Sequence, residues 1–237
     1  MITYNSPNFN NIIDKIEEIL KNNKIDVQDS QQVMPNVVIH AVASYIQSIL
    51  EPSNKFLSVS CPKCGKIHLA PMESTYERCV IFKVRSILLK ITITIPRLIC
   101  GNCGGTHAAL PCFCIPLKRY SKQAILSIAK EASCTTTEEV AAKLNMESKQ
   151  VRRFVNLVLE ASSNILQLFH MHPMLFNTSI SPKTKLHDLI NALPGSITQI
   201  YFEQFKNIFL YEKNSRKLHF NYADYQIREI TKPSKTF

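Results

Sequence analysis

Four cysteines in two C-x-x-C pairs are the residues whose types and spacing could do chemistry. They are Cys61 and Cys64 in CPKCG, and Cys100 and Cys103 in ICGNCG. A C-x-x-C turn can aim both thiolates at one ion, and the glycine after each pair supplies the backbone freedom that the turn needs. Four sulfurs complete a closed tetrahedral site with Zn–S bonds of about 2.3 Å. The pattern therefore predicts one structural Zn²⁺ ion.

The remaining thiols and two imidazoles are weaker ligand candidates. Cys112 and Cys114 alternate along an extended segment, so they would point to opposite faces and make a poor pair of ligands for one ion. Cys134 precedes a predicted helix and is expected to be structural. His68 or His107 could replace one cysteine, although the four cysteines already close the site.

Composition limits the class of protein. The chain has 237 residues, of which 45% are apolar, so it can bury a core of one large or two small domains. The N-terminus lacks the pattern of a signal peptide, and no apolar run reaches the roughly 18 residues of a membrane span. Eight cysteines in a chain that is not secreted suggest metal ligation rather than disulfides. We expect a cytoplasmic, nucleoid-associated protein with no small-molecule substrate and no membrane partner.

The positive charge is concentrated in one part of the chain. The formal net charge is +10, yet residues 1–51 lean acidic. No acidic residue occurs between Glu77 and Glu131, an interval that includes Lys118, Arg119 and Lys122. Such a run is often only a solvated face, but beside a zinc site it also suits a polyanion. DNA is the predicted partner.

The segment between the two pairs is rich in strand-forming residues. Residues 87–95 form the clearest predicted strand, in which Thr92 and Thr94 alternate with Ile91, Ile93 and Ile95, and Pro96 is expected to end it. Residues 79–82 and 56–60 are further predicted strands. Together these features predict a zinc ribbon, in which the metal replaces a core that a small sheet cannot supply.

Helical patterns occupy most of the rest. Apolar stripes predict helices at 8–22, 36–50, 121–133, 185–193 and 196–211. Thr136 or Thr137 can cap a short helix that reaches Leu144, Asn145 can adopt the left-handed turn, and Ser148 can cap the next helix. This spacing is typical of a helix-turn-helix, although a helical hairpin within an all-α core has the same pattern.

The helix from Ser148 would read DNA. Its outward residues suit bases and phosphates, with Lys118, Arg119 and Lys122 as further phosphate contacts; they are Lys149, Gln150, Arg152, Arg153 and Asn156. Within residues 151–168, apolar side chains recur at spacings of three and four. That seam predicts either packing against residues 1–50, which we favour, or a homodimer.

One segment carries a family resemblance. Residues 97–111, RLICGNCGGTHAALP, resemble a group of uncharacterised bacterial proteins with a C-x-x-C-G-x-T-H-A-x-L-P signature. The layout of residues 55–160 is also similar to the N-terminal DNA-binding region of certain insertion-sequence transposases. The resemblance implies that Cys61, Cys64, Cys100 and Cys103 bind zinc and that residues 149–153 lie on DNA.

The chain departs from such transposases in its C-terminal third. Those enzymes hold two metal ions with three carboxylates on an RNase H-like domain. The acidic residues after Glu160 do not follow buried strand patterns, and little chain remains for that fold. We therefore expect no enzyme activity. Alternatives to direct DNA reading are a protein-interaction module, or an accessory subunit of a transposase or nuclease whose active site lies on another chain.

The sequence thus predicts an α+β protein that is mainly helical. A small antiparallel zinc-ribbon sheet and a helix-turn-helix domain are its recognisable parts. The expected division is an N-terminal helical segment (1–54), the ribbon (55–117), the helix-turn-helix with its extended helix (118–170) and a C-terminal helical region (171–237).

Overall fold

The computed structural model describes residues 9–25, 34–50, 61, 63–67, 69–111, 113–176, 178–194, 197–205, 209–210, 218–222 and 225–229. The predicted strand at 56–60, His68, Cys112 and the residues around the predicted start of the last helix at 196 lie outside these ranges. The described part is mixed α and β, which confirms the α+β class.

The described helices and strands follow the predicted order for the first two thirds of the chain. The strands are β1 (Leu69–Val84), β2 (Ile87–Cys100), β3 (Thr106–Pro111), β4 (Leu218–Tyr222) and β5 (Tyr225–Glu229). The helices are α1 (Phe9–Asn22), α2 (Asn36–Leu50), α3 (Lys122–Ala132), α4 (Thr137–Lys143), α5 (Ser148–Met171), α6 (Leu186–Ala192) and α7 (Ile197–Phe205), with a 3₁₀ turn at Pro173–Leu175. None of the helices in the described part is long and apolar enough to cross a membrane.

The sheet is larger than the small ribbon that the sequence predicts. Its five strands are antiparallel and run in the order β1-β2-β3-β5-β4. The prediction that Pro96 ends a strand is wrong, because β2 continues to Cys100. Pro96 pairs with Thr75, next to an irregularity between Pro71 and Thr75 in β1. A proline is tolerated there because a bulge interrupts the ladder, so fewer backbone N–H donors are needed.

A core of its own supports the sheet. The odd-numbered residues of β2 from Ile87 to Ile95 are buried, together with Val80 and Phe82 of β1. The apolar stripes of α1 and α2 complete this cluster, and α2 packs on β2. Most of the sheet is therefore stabilised by ordinary apolar burial, and the expectation that metal replaces the core is wrong for it.

The helices α3 to α7 form a second core. The predicted seam of α5 is buried in it, and its members are Val151, Phe154, Val158, Ala161, Ile165 and Leu168. Their partners come from α3, α4, α6 and α7 rather than from residues 1–50, so the predicted packing partner is wrong. A homodimer through residues 151–168 stays a prediction, and it would have to use the exposed side chains of α5.

Polar contacts connect the two cores. Lys83 in β1 is only 3% exposed, and its Nζ donates to Glu131 Oε1 of α3 at 2.6 Å and to the Arg85 carbonyl at 2.7 Å. Arg78 Nη2 donates to the carbonyls of Ile115 and Lys118, each at 2.6 Å. The segment before α3 is thereby held against β1.

The C-terminal region is not entirely helical. Strands β4 and β5 form a hairpin, and β5 pairs with β3 from His107↔Glu229 to Pro111↔Tyr225. The prediction of a helical region over 171–237 is therefore wrong for these two strands. The helix predicted to extend to about residue 211 also ends earlier, at Phe205.

Candidate metal centre and helical surface

Each C-x-x-C pair forms a tight turn beside a strand. In the first turn Gly65 N–H donates to the Cys61 carbonyl, and in the second Gly104 N–H donates to the Cys100 carbonyl. Both glycines have positive φ, +74° at Gly65 and +63° at Gly104. Glycine adopts this left-handed conformation readily, which is the role that the sequence predicts for the glycine after each pair.

The two turns bring the four sulfurs together. The ligand atoms of Cys61, Cys64, Cys100 and Cys103 all lie within 4.8 Å of one another. Across the turns, Cys61 Sγ lies 3.7 Å from Cys103 Sγ, and Cys64 Sγ lies 3.7 Å from Cys100 Sγ. Four sulfurs around one ion with bonds of about 2.3 Å would be separated by about 3.8 Å. The cluster therefore has the spacing that one tetrahedral ion requires.

The thiols of the cluster differ in burial and in pKa. Cys61 and Cys100 are buried, whereas Cys64 and Cys103 are half-buried. Burial raises the pKa of the Cys61 thiol to about 12. The backbone N–H of Cys103 lowers the pKa of the Cys100 thiol to about 7. Since a metal ion binds thiolates, its binding would release protons from this cluster, above all from Cys61.

The other thiol and imidazole candidates have different surroundings. Cys114 is buried in the sheet core, and Cys134 is exposed after α3. His107 lies beside the cluster, with Nε2 at 3.2 Å from Cys61 Sγ. Among the residues that the structure describes, the four cysteines are the one group of three or more candidate ligands that could hold an ion.

The helix pair α4–α5 has most of the predicted local structure. The Thr136 side chain caps α4 by accepting from Glu139 N–H at 3.1 Å. Asn145 has φ +48° in the turn between the helices. The prediction that Ser148 caps α5 is wrong, because Ser148 is the first helical residue and Glu147 precedes it without a side-chain cap.

The predicted DNA contacts are mostly accessible. Of the predicted contacts on the first turns of α5, Gln150 is half-buried. The other four are exposed: Lys149, Arg152, Arg153 and Asn156. Arg119 is exposed and Lys118 is half-buried. Lys122 is only 4% exposed, so its prediction as a phosphate contact is wrong. The position of Lys122 within a basic stretch suggested an exposed cation. In the structure Lys122 is the first residue of α3, directly after the N-cap Ser121, and its side chain is buried.

An ion pair modifies the surface of α5. Arg152 Nη2 donates to Glu138 Oε1 of α4, and both side chains are 60% exposed. This hydrogen bond lowers the pKa of the Glu138 carboxyl. The sequence predictions did not pair Glu138 with Arg152, which lies 14 residues later. Arg152 therefore has an acidic partner on the neighbouring helix.

In comparisons with known proteins, one family model matches this region, and its description gives no activity. Residues 61–154 match a family model described as a domain of unknown function, DUF6431. The matched range is less than half of the chain, and it extends from the first cysteine of the cluster to Phe154 in α5. No curated protein and no solved structure matches the chain. The cysteine cluster, α4 and the first turns of α5 thus fall within one matched unit, and no similarity to transposases is found.

Proposed function

We propose that this chain is a zinc-stabilised, sequence-specific DNA-binding protein, either regulatory or related to a transposon, without a catalytic domain. The observation that carries the proposal is the two-sided character of the first turns of α5. Val151 and Phe154 are buried in the helical core, while Lys149, Arg152 and Arg153 project into solvent. A recognition helix needs this combination of a fixed inner face and a polar outer face.

The neighbouring helices support this reading. α5 packs on α3 and α4, and the turn at Asn145 lets α4 and α5 meet as a helix-turn-helix pair would. Arginine suits guanine edges, and asparagine or glutamine suits adenine edges. Asn156 lies two helical turns after Lys149, so these polar groups would span several base pairs along the groove.

The sulfur cluster supports a structural metal rather than a reactive one. Four thiolates suit Zn²⁺, and a closed four-cysteine site leaves no open position for substrate. Cys61 and Cys64 would hold the chain before β1, and Cys100 and Cys103 would hold the end of β2. When bound, the ion supplies a cross-link between these two turns. The chain's own residues would bind DNA without carrying out a reaction.

We predict opposite effects from the two residues of the surface ion pair. Arg152→Ala should weaken binding to a DNA site selected from a random pool by about 1–3 kcal/mol. Glu138→Gln should strengthen binding by a few-fold, since it removes the carboxylate that competes with DNA for Arg152. Fluorescence anisotropy of labelled DNA at several salt concentrations measures both effects.

Lys183→Ala is the control for the loss of one exposed cation, because Lys183 lies before α6 and is not among the predicted DNA contacts. It should leave affinity for the selected site nearly unchanged. Equal affinities of wild type and Arg152→Ala for that site would contradict the assignment of α5 as the recognition helix.

A protein-interaction module is the second candidate. Ile67 and Ile99 are exposed next to the two cysteine turns, where a docking platform could form. In that case the helix pair serves only to build the helical core. The chain could then be an accessory subunit of a transposase or nuclease whose active site lies on another chain. An unretarded DNA band in a low-salt gel shift, together with co-purification of a carboxylate-rich partner, would favour this candidate.

A further inference from the structure

His107 is a buried imidazole next to the sulfur cluster. It lies in β3, between Leu98 of β2 and Glu229 of β5 in the register of the sheet. Its side chain is fully buried. Backbone pairing on both sides fixes the strand that carries it, so the position of the ring relative to the cluster is determined by the sheet.

The contact between His107 and Cys61 has the geometry of a hydrogen bond. Nε2 lies 3.2 Å from Cys61 Sγ, which is itself fully buried. A metal-bound thiolate can only accept, so Nε2 must carry the proton in the metal-bound protein. The backbone N–H groups of Lys63, at 3.4 Å, and of Cys64 also donate to this sulfur.

Gly105 leaves the space that this contact needs. A Cβ at position 105 would lie 3.3 Å from His107 Nε2 and 3.2 Å from Cys103 Sγ. Both separations are tighter than ordinary van der Waals contact, so an alanine would displace the His107 ring and the Cys103 sulfur by a few tenths of an ångström. Gly105 therefore admits the imidazole and the two sulfurs into one small volume.

A buried thiolate without enough donors is costly, because water cannot replace the missing hydrogen bonds. We propose that His107 is a positioning residue that donates its Nε2–H to the Cys61 thiolate and thereby holds the metal in the cluster. This inference rests on the zinc site of the proposed function. Groups hydrogen-bonded to metal ligands typically change metal affinity by about 10- to 100-fold.

The test compares zinc affinity in the full chain by competition with a chromophoric chelator. His107→Phe removes the donor while keeping a buried ring, and it should weaken zinc binding by about 10- to 100-fold. His107→Gln keeps an N–H donor and should restore part of that loss. Gly105→Ala displaces both the imidazole and Cys103 Sγ, so it should also weaken binding, and part of that loss should disappear when it is combined with His107→Gln.

Cobalt substitution separates this inference from the zinc proposal. Wild type should show the charge-transfer and ligand-field absorption of Co²⁺ bound by four thiolates. A spectrum of three thiolates and one imidazole would overturn the inference, because His107 would then be a ligand. Unchanged affinity in folded His107→Phe and Gly105→Ala would also overturn it and leave the zinc site standing. A wild type that binds neither metal would instead remove the zinc proposal on which it depends.

Discussion

Replacing Cys100 with serine is expected to abolish metal binding and to unfold the end of the sheet that carries both cysteine turns. Purified wild type should contain about one equivalent of zinc, and Cys100→Ser should contain almost none. Metal analysis and circular dichroism measure the two effects. A chelator added to wild type should reproduce the loss of structure.

The expected effect is large because the binding energy of a structural zinc ion is folding energy. That energy is on the order of 10 kcal/mol in small zinc domains, which is comparable to the whole stability of a typical domain. Cys100 is buried and joins β2 to the second turn, so water cannot take the place of the lost sulfur ligand. The apolar core over α1 and α2 should limit the damage, since it does not depend on the metal.

Cys134→Ser is the matched control for a lost thiol. Cys134 is exposed after α3 and is not one of the four clustered cysteines. Its replacement should leave both the zinc content and the melting transition of wild type unchanged. A Cys100→Ser protein that stays folded and metal-loaded would contradict a four-cysteine site.

Replacing Glu131 with alanine is expected to destabilise the fold by about 3 kcal/mol. Lys83 is almost fully buried, and Glu131 Oε1 is its anionic partner at 2.6 Å. Without Glu131 the ammonium group keeps the Arg85 carbonyl but loses its counter-charge. We place the effect at the low end of the usual range because Glu131 is itself about one third exposed. Urea unfolding of the zinc-loaded protein measures it.

Two further variants identify the cause of that loss. Lys143→Ala removes the more distant cation, whose Nζ lies 3.8 Å from Glu131 Oε2, and should cost less than about 1 kcal/mol. Lys83→Met combined with Glu131→Leu removes both charges and should recover most of the stability. If the double variant were as unstable as Glu131→Ala, packing at Glu131 rather than the uncompensated charge would be responsible.

Local signals made much of the candidate site predictable. The spacing of the cysteines, the glycines after them, the Thr136 cap and the left-handed Asn145 each depend on a few neighbouring residues. The same kind of reasoning could not find the Arg152–Glu138 pair, and it named His107 only as a substitute ligand, not as a hydrogen-bond donor to Cys61. The Arg152–Glu138 pair joins two helices, and the His107–Cys61 contact joins residues 46 positions apart.

The extent of the sheet was less predictable for a physical reason. Exposed and half-buried residues dominate the first half of β1, so they show no alternation of polar and apolar residues. Strand pairing itself is non-local, and β5 joins β3 across more than a hundred residues of chain. Only the β2 segment, buried at every second residue, carried a strong strand signal.

Selection of bound sequences from a random DNA pool tests the central claim most directly. Zinc-loaded wild type should enrich one sequence motif, and Arg153→Ala, which removes an exposed cation of α5, should lose the enrichment while Lys183→Ala keeps it. Affinity for the enriched site should also fall steeply with salt. Absence of any enriched motif and of any DNA retardation at low salt would contradict a DNA-binding function.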